Sequence, residues 1–177
     1  FKANGVLQRR FREFVRHGGT NIPRRFWEIL FPLAYWDTIK VEAQRRGHDP
    51  YMLASIIRQE SGFEPTTVSN AGAVGLMQIM PEEASRIGTA GGIGEVSRAD
   101  LFVPEKNIAV GAAELSQKLA VTNNNLTLAI AAYNAGETAV HRWMSRTSPD
   151  EIDLFIESIP YAETRLYVKT VTRNRNE

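Results

Sequence analysis

The chain has 177 residues, 43% hydrophobic and 23% charged, enough apolar side chain for one domain with a substantial core. Its 21 lysines and arginines against 20 acidic residues leave a net charge of +1, which removes the electrostatic footprint of a nucleic-acid or anionic-membrane binder. The absence of cysteine rules out disulfides and thiolate metal sites, and no apolar run approaches the roughly 20 residues that span a bilayer.

The sequence begins at Phe1 without a methionine or a secretory signal and reads as a piece of something longer. Residues 1–26 are less core-like and are assigned to the end of a preceding segment or an N-terminal extension, which leaves 27–177 as the domain. The basic stretch QRRFREFVRH at 8–17 fits a solvated helix face better than a binding arm.

In chain order, FPLAYWDTIKVEAQRRG spaces Leu33, Trp36, Ile39 and Ala43 by three or four residues and closes at Gly47, which predicts a helix. A second helix opens at the Asp49 cap and Pro50, runs through Leu53, Ile56 and Ile57, and stops before Gly62 and Pro65. PEKNIAVGAAELSQKLA repeats the helical spacing with Ile108, Ala112, Leu115 and Leu119. NNNLTLAIAAYNAG is apolar nearly all round from Leu126 to Ala132, as a central, packed helix is, and Asn134 and Gly136 mark its end, Asn134 as a left-handed cap. Ser148, Pro149 and Glu151 form a capping box before a helix that turns Ile152, Phe155, Ile156 and Ile159 inward. Pro160 then restarts the chain as YAETRLYVKTVTR. Two loops, TTVSNAGAVG and GTAGGIGEVSRAD, are rich in small residues. The fold class is mainly α, with room for a short hairpin in a loop.

Glu60 stands out against this pattern. It lies four residues beyond Ile56 and three beyond Ile57, so its carboxyl leaves the second helix along the apolar stripe. Apolar surroundings and the unpaired carbonyls of the last turn both favour the protonated form, which is what a general acid requires. Against this stand plainer readings: an ion pair of Glu60 with Arg58 or Arg86, or an early helix end that leaves Glu60 in water.

Four blocks follow in order: RQESGF at 58–63, GLMQIMP at 75–81, AAYNAG at 131–136 and SIPYAETRLYV at 158–168. With the flanking RRFWEILFP and LFVPEKNIAVGA, the sequence from about residue 26 to 175 resembles the catalytic domain of the soluble lytic transglycosylases. These are peptidoglycan-cleaving enzymes related in fold to goose-type lysozyme. The resemblance implies a single lysozyme-like helical domain with a substrate cleft, working on peptidoglycan glycan strands in the periplasm or cell envelope. It also implies further N-terminal domains and no cofactor.

The implied reaction cuts the β-1,4 bond between N-acetylmuramic acid and N-acetylglucosamine without water, leaving 1,6-anhydromuramic ends. Glu60 matches the family's catalytic position, as acid and then base. Ser69 and Gln78 match positions that hydrogen-bond the substrate or the catalytic carboxyl, and Met80 one that lines the cleft. Met77 fits the core better. Tyr133 matches the position that stabilises the charged intermediate. Glu163 matches a second acid that helps place the reacting sugar, although an ion pair with Arg165 suits it equally; Glu64 is the other second carboxylate, more readily solvated.

The chain departs from the family pattern at Val103, at the ETAV after AYNAG, and at Leu166, positions that touch substrate contacts more than the reaction. His17, His48 and His141 show no metal-ligand spacing and read as surface or capping residues, GTAGGIGEV fails the dinucleotide fingerprint, and no serine sits in a nucleophile elbow. A lysozyme-type hydrolase and a non-catalytic glycan-binding module of the same fold remain the alternatives.

Overall fold

A computed structural model describes residues 34–145 and 151–176. The chain divides into two units, 1–34 and 35–177, and the described helices all lie in the second. The basic stretch at 8–17, His17, Leu33 and the Ser148–Pro149 half of the expected cap lie outside the described residues.

Among the described residues the architecture is helical. The helices are α1 (Trp36–Arg46), α2 (Pro50–Glu60), α3 (Pro81–Ala90), α4 (Pro104–Val121), α5 (Leu126–Ala135), α6 (Glu137–Met144), α7 (Ile152–Ser158) and α8 (Ala162–Asn176), with a 3-10 turn at Asp100–Phe102. Their ends follow from local chemistry. Gly47 takes φ 70° and returns its N–H to the Ala43 and Gln44 carbonyls, closing α1. Asp49 accepts from the Tyr51 N–H ahead of Pro50, and Asn125 accepts from the Leu128 N–H, opening α2 and α5.

At the centre stands α5, whose Leu128, Ala129, Ile130, Ala131 and Ala132 are buried. Three alanines in that run let α4 and α8 pack closely on it, while α8 also lies along α2, and α4 meets α1 and α3. Leu53, Ile56, Ile57, Ile108, Leu115 and Val168 fill the space between them, all at 0% exposure.

Some expectations are revised. Helices α3 and α6 lie where none was expected: α3 turns only Ala84, Ile87 and Gly88 inward, and α6 spans two turns directly after Gly136. Because α3 reaches Ala90, the second glycine-rich loop starts at Gly91. The expected capping box is displaced, since Glu151 itself occupies the N-cap of α7 and makes no side-chain cap bond; Phe155 and Ile159 are buried while Ile152 and Ile156 are only partly covered. Asn134 is inside α5, and its Oδ1 accepts from the Thr164 hydroxyl at 2.7 Å, tying α5 to α8. His48 is a tether and not a surface residue: its Nε2 lies 3.0 Å from the Ala112 carbonyl and 2.9 Å from the Ser116 hydroxyl of α4. In place of a full hairpin, Val74 forms single antiparallel bridges with Val68 and with Ile79.

The loop between α2 and α3 is fastened by one buried amide. Asn107, at 0% exposure in α4, accepts from the Met77 N–H at 2.7 Å and donates to the Val74 and Leu101 carbonyls at 2.9 and 2.8 Å. Gly75 is required beneath it, because its φ is +81° and a Cβ there would stand 2.2 Å from Asn107 Nδ2. Asn107→Ala is expected to cost about 3 kcal/mol or more in a urea titration, since three loop groups lose their buried partner; a cost below about 1 kcal/mol would show that water replaces the amide.

Candidate active site

Glu60 ends α2 at the point where the apolar stripe of Ile56 and Ile57 meets the following loop. Its Oε1 accepts a 2.5 Å hydrogen bond from the hydroxyl of Tyr167, one turn beyond Glu163 on α8. Burial pushes its pKa up from 4.5 to about 7; the Tyr167 hydrogen bond pulls the other way, and the negative charges of Glu114 and Glu163 add to the rise. With a phenol donating to Oε1, the carboxyl proton belongs on Oε2. Arg86, one of the two ion-pair candidates, instead pairs with Glu83 on its own helix.

The loop after Glu60 is built from its own residues. Ser61 donates to the Leu76 carbonyl at 2.9 Å, joining the end of α2 to the loop that Asn107 holds. Ser69 accepts from the Ala73 N–H at 3.0 Å and shapes the turn between them. Gln78 sits at φ 51°, a conformation costly for a non-glycine residue, and its Nε2 donates to the Gly75 and Thr67 carbonyls at 2.9 and 3.2 Å. Among the described residues the group bonded to the Glu60 carboxyl is therefore Tyr167, while Ser69 and Gln78 brace the loop beside it.

Tyr133 reaches from α5 to donate its hydroxyl hydrogen to the Met77 carbonyl at 3.0 Å. Its oxygen lone pairs thus face any neighbouring group, and burial, with the charges of Glu114 and Glu60, keeps the phenol protonated far above its ordinary range. Met77 is fully buried against Gly111, whose Cβ would lie 2.4 Å from the Met77 sulfur. Met80 is half-buried at the N-terminus of α3.

Glu163 is exposed in the first turn of α8, near enough to act on Glu60 electrostatically. Of the two readings of Glu163, the ion pair with Arg165 is not formed: Arg165 Nη1 donates instead to the Ile159 carbonyl at 2.8 Å. Glu64 accepts from the Thr66 hydroxyl and N–H, bonds that lower its pKa and hold it ionised.

Sequence reasoning passed over Tyr167 and Glu114. Tyr167 lies within SIPYAETRLYV, but nothing in its spacing says that its hydroxyl meets a residue 107 positions away. Glu114 could have been found by the test applied to Glu60, since it lies four residues beyond Val110 and three beyond Gly111, both on the buried side of α4.

The transglycosylase SLT domain family model matches residues 37–156. Over 156 residues the chain is 40% identical to the soluble lytic murein transglycosylase of Escherichia coli K12, covering 85% of this chain and 24% of that protein. It is 36% identical over 155 residues to a putative soluble lytic murein transglycosylase of Haemophilus influenzae, covering 85% and 26%. Among solved structures it is similar to an inactive glutamate-to-glutamine mutant of the lytic transglycosylase Slt from Pseudomonas aeruginosa, with TM-score 0.80, 42% identity and coverage of 84% of this chain and 24% of that one. The 70 kDa soluble lytic transglycosylase of Escherichia coli gives TM-score 0.79 and 38% identity over 84% of this chain and 24% of its own. The chain thus spans about a quarter of the length of these relatives, and its helical fold is theirs.

Two outcomes are expected from the Glu60 environment. Tyr167→Phe removes the bond that lowers the pKa, so the Glu60 carboxyl resonance is expected to titrate above about 7 in carbon NMR; an unchanged midpoint would mean the bond is not formed in solution. A carboxyl raised from 4.5 to about 7 contributes its stability below about pH 4.5 and loses it as pH climbs to about 7. Glu60→Gln is therefore expected to be more stable than wild type by up to about 3 kcal/mol at pH 8 and by little at pH 4.

Proposed function

The chain belongs to the transglycosylase SLT domain family, and on that premise we propose that it is the catalytic domain of a peptidoglycan lytic transglycosylase. Its substrate in this reading is the β-1,4 bond between N-acetylmuramic acid and N-acetylglucosamine, and its product a 1,6-anhydromuramic end. The observation that carries the reading is Glu60: a carboxyl at the end of an apolar stripe, with one oxygen held by Tyr167 and a pKa of about 7, so that both of its protonation states are accessible near neutrality.

One such group suffices for both halves of the reaction. Glu60 gives its proton to the glycosidic oxygen as the bond to the muramic C1 breaks, and the sugar's own N-acetyl oxygen closes on C1. The ionised Glu60 then takes the proton of the C6 hydroxyl as that oxygen displaces the N-acetyl group and closes the anhydro ring, which restores the acid. Proton transfer in each direction is easiest for a carboxyl whose pKa matches the working pH, and burial supplies that match.

The other residues take supporting parts. The Tyr133 oxygen, its hydrogen committed to the Met77 carbonyl, offers lone pairs to the cationic intermediate. Gln78, Ser69 and Met80 belong to the loop along which the glycan lies, and the exposed Glu163 assists in placing the reacting sugar. The inactivity of the Pseudomonas aeruginosa relative after a glutamate-to-glutamine exchange supports a mechanism that needs a titrating carboxyl. The domain works in this reading within the cell envelope, where the glycan is, as one part of a longer chain.

Digestion of purified peptidoglycan by wild type and Glu60→Gln, with mass spectrometry of the sugar ends, tests this. Anhydromuramic ends are expected from wild type, and a drop in rate of at least about 1000-fold from Glu60→Gln. Reducing ends would identify a hydrolase, and binding without cleavage by wild type a glycan-binding module.

A further inference from the structure

A second half-buried carboxyl stands beside the site without a part in the reaction. Asn107, Gly111, Glu114 and Lys118 recur at helical spacing along one face of α4. Asn107 fastens the loop and Gly111 receives Met77, whose carbonyl holds Tyr133, so Glu114 comes next on the face turned toward the site. Its side chain is 18% exposed, and its Oε1 lies 4.0 Å from Lys118 Nζ. Lys118, 12% exposed, makes its closer contact, 3.0 Å, with Glu137 at the start of α6. The cation thus leans toward Glu137 and leaves Glu114 only loosely paired.

We propose that Glu114 is a positioning residue for the reaction: a second carboxyl on the α4 face that backs Met77 and Tyr133, loosely held by Lys118, whose charge acts on the Glu60 carboxyl across the site. The inference rests on the acid role given to Glu60.

The surrounding charges are mixed. On α4 itself stands Lys118; from α3 come Arg86 and Glu83, from α6 Glu137, from α2 Glu60, from α5 Tyr133 and from α8 Tyr167 and, acting on Glu60, Glu163. His48 and Arg46 meet the opposite side of α4 and its neighbouring loop, at Ala112, Ser116 and Gly91. Burial holds the Glu114 carboxyl up to about 7 although Lys118 and Arg86 draw it down. Both carboxyls therefore change charge over one pH range, and each ionisation opposes the other. Loss of the Glu60 proton is spread over a wider interval than a lone acid would show, which keeps an acid-competent fraction at higher pH.

The test follows kcat/KM on purified peptidoglycan from about pH 5 to about pH 9, together with the carbon NMR titration of the Glu60 carboxyl, in wild type, Glu114→Gln and Lys118→Met. In Glu114→Gln the alkaline limb and the Glu60 midpoint are expected to move down by about half a pH unit, and the titration to sharpen to that of one proton. Lys118→Met removes the cation that draws the Glu114 proton off, so Glu114 stays neutral where Glu60 titrates, and the Glu60 midpoint is expected to move down in this variant too. An unchanged Glu60 midpoint in whichever of the two variants folds overturns the proposal. If wild type does not cleave peptidoglycan, the proposed function fails, and the NMR midpoints alone still decide whether the two carboxyls are coupled.

Discussion

The geometry of the site hangs on the buried side chain of Asn107. An unpaired amide in the interior is costly, so a fully buried asparagine can persist only with its partners in place, and here they are three backbone groups of the loops before α3 and α4. The condition works in both directions. The loop cannot drift without stranding the amide, and the amide cannot turn without freeing the loop. Met77 is thereby fixed, its carbonyl presented to Tyr133, and Leu76 presented to Ser61 at the end of α2. Three helices are thus referred to one loop before any substrate contact is considered.

That rigidity is what makes a buried acid usable. A carboxyl at the mouth of an apolar stripe would, in a soft structure, swing out to water and titrate normally. Glu60 is held by the short bond from Tyr167, so desolvation has a fixed group on which to act. Function here costs stability, because the folded state must hold at neutral pH a group that would rather be ionised in solvent. Gln78 shows the same trade in the backbone: its left-handed conformation is kept by hydrogen bonds that its side-chain Nε2 donates to the Gly75 and Thr67 carbonyls.

Polar groups around the site are mostly satisfied by backbone and not by one another. Ser61, Ser69, Gln78, Tyr133 and Arg165 each bond a main-chain group. Such partners do not titrate, so they steady the loops without competing for the proton. The Glu60 carboxyl is the exception: burial acts on it first, the Tyr167 hydroxyl bonds it, and the charges of Glu114 and Glu163 come after these.

Periodicity alone located α1, α2, α4, α5 and α7, because their apolar spacing and end signals such as Gly47 and Asp49 are local properties of consecutive residues. It also marked Glu60, since a charged residue in an apolar register is visible without knowing what it faces. Helix α6 carries too few turns for a stripe to register, and α3 hides its inward positions behind Ala84 and Gly88. The reach of Tyr167 to Glu60, the hold of Asn107 on its loop, and the place of Glu114 beside the tyrosines were decided only by the packing of distant helices. Sequence spacing reports which residues share a face; which faces meet, and what proton affinity results, depends on the desolvation and pairing that exist only once the chain has closed on itself.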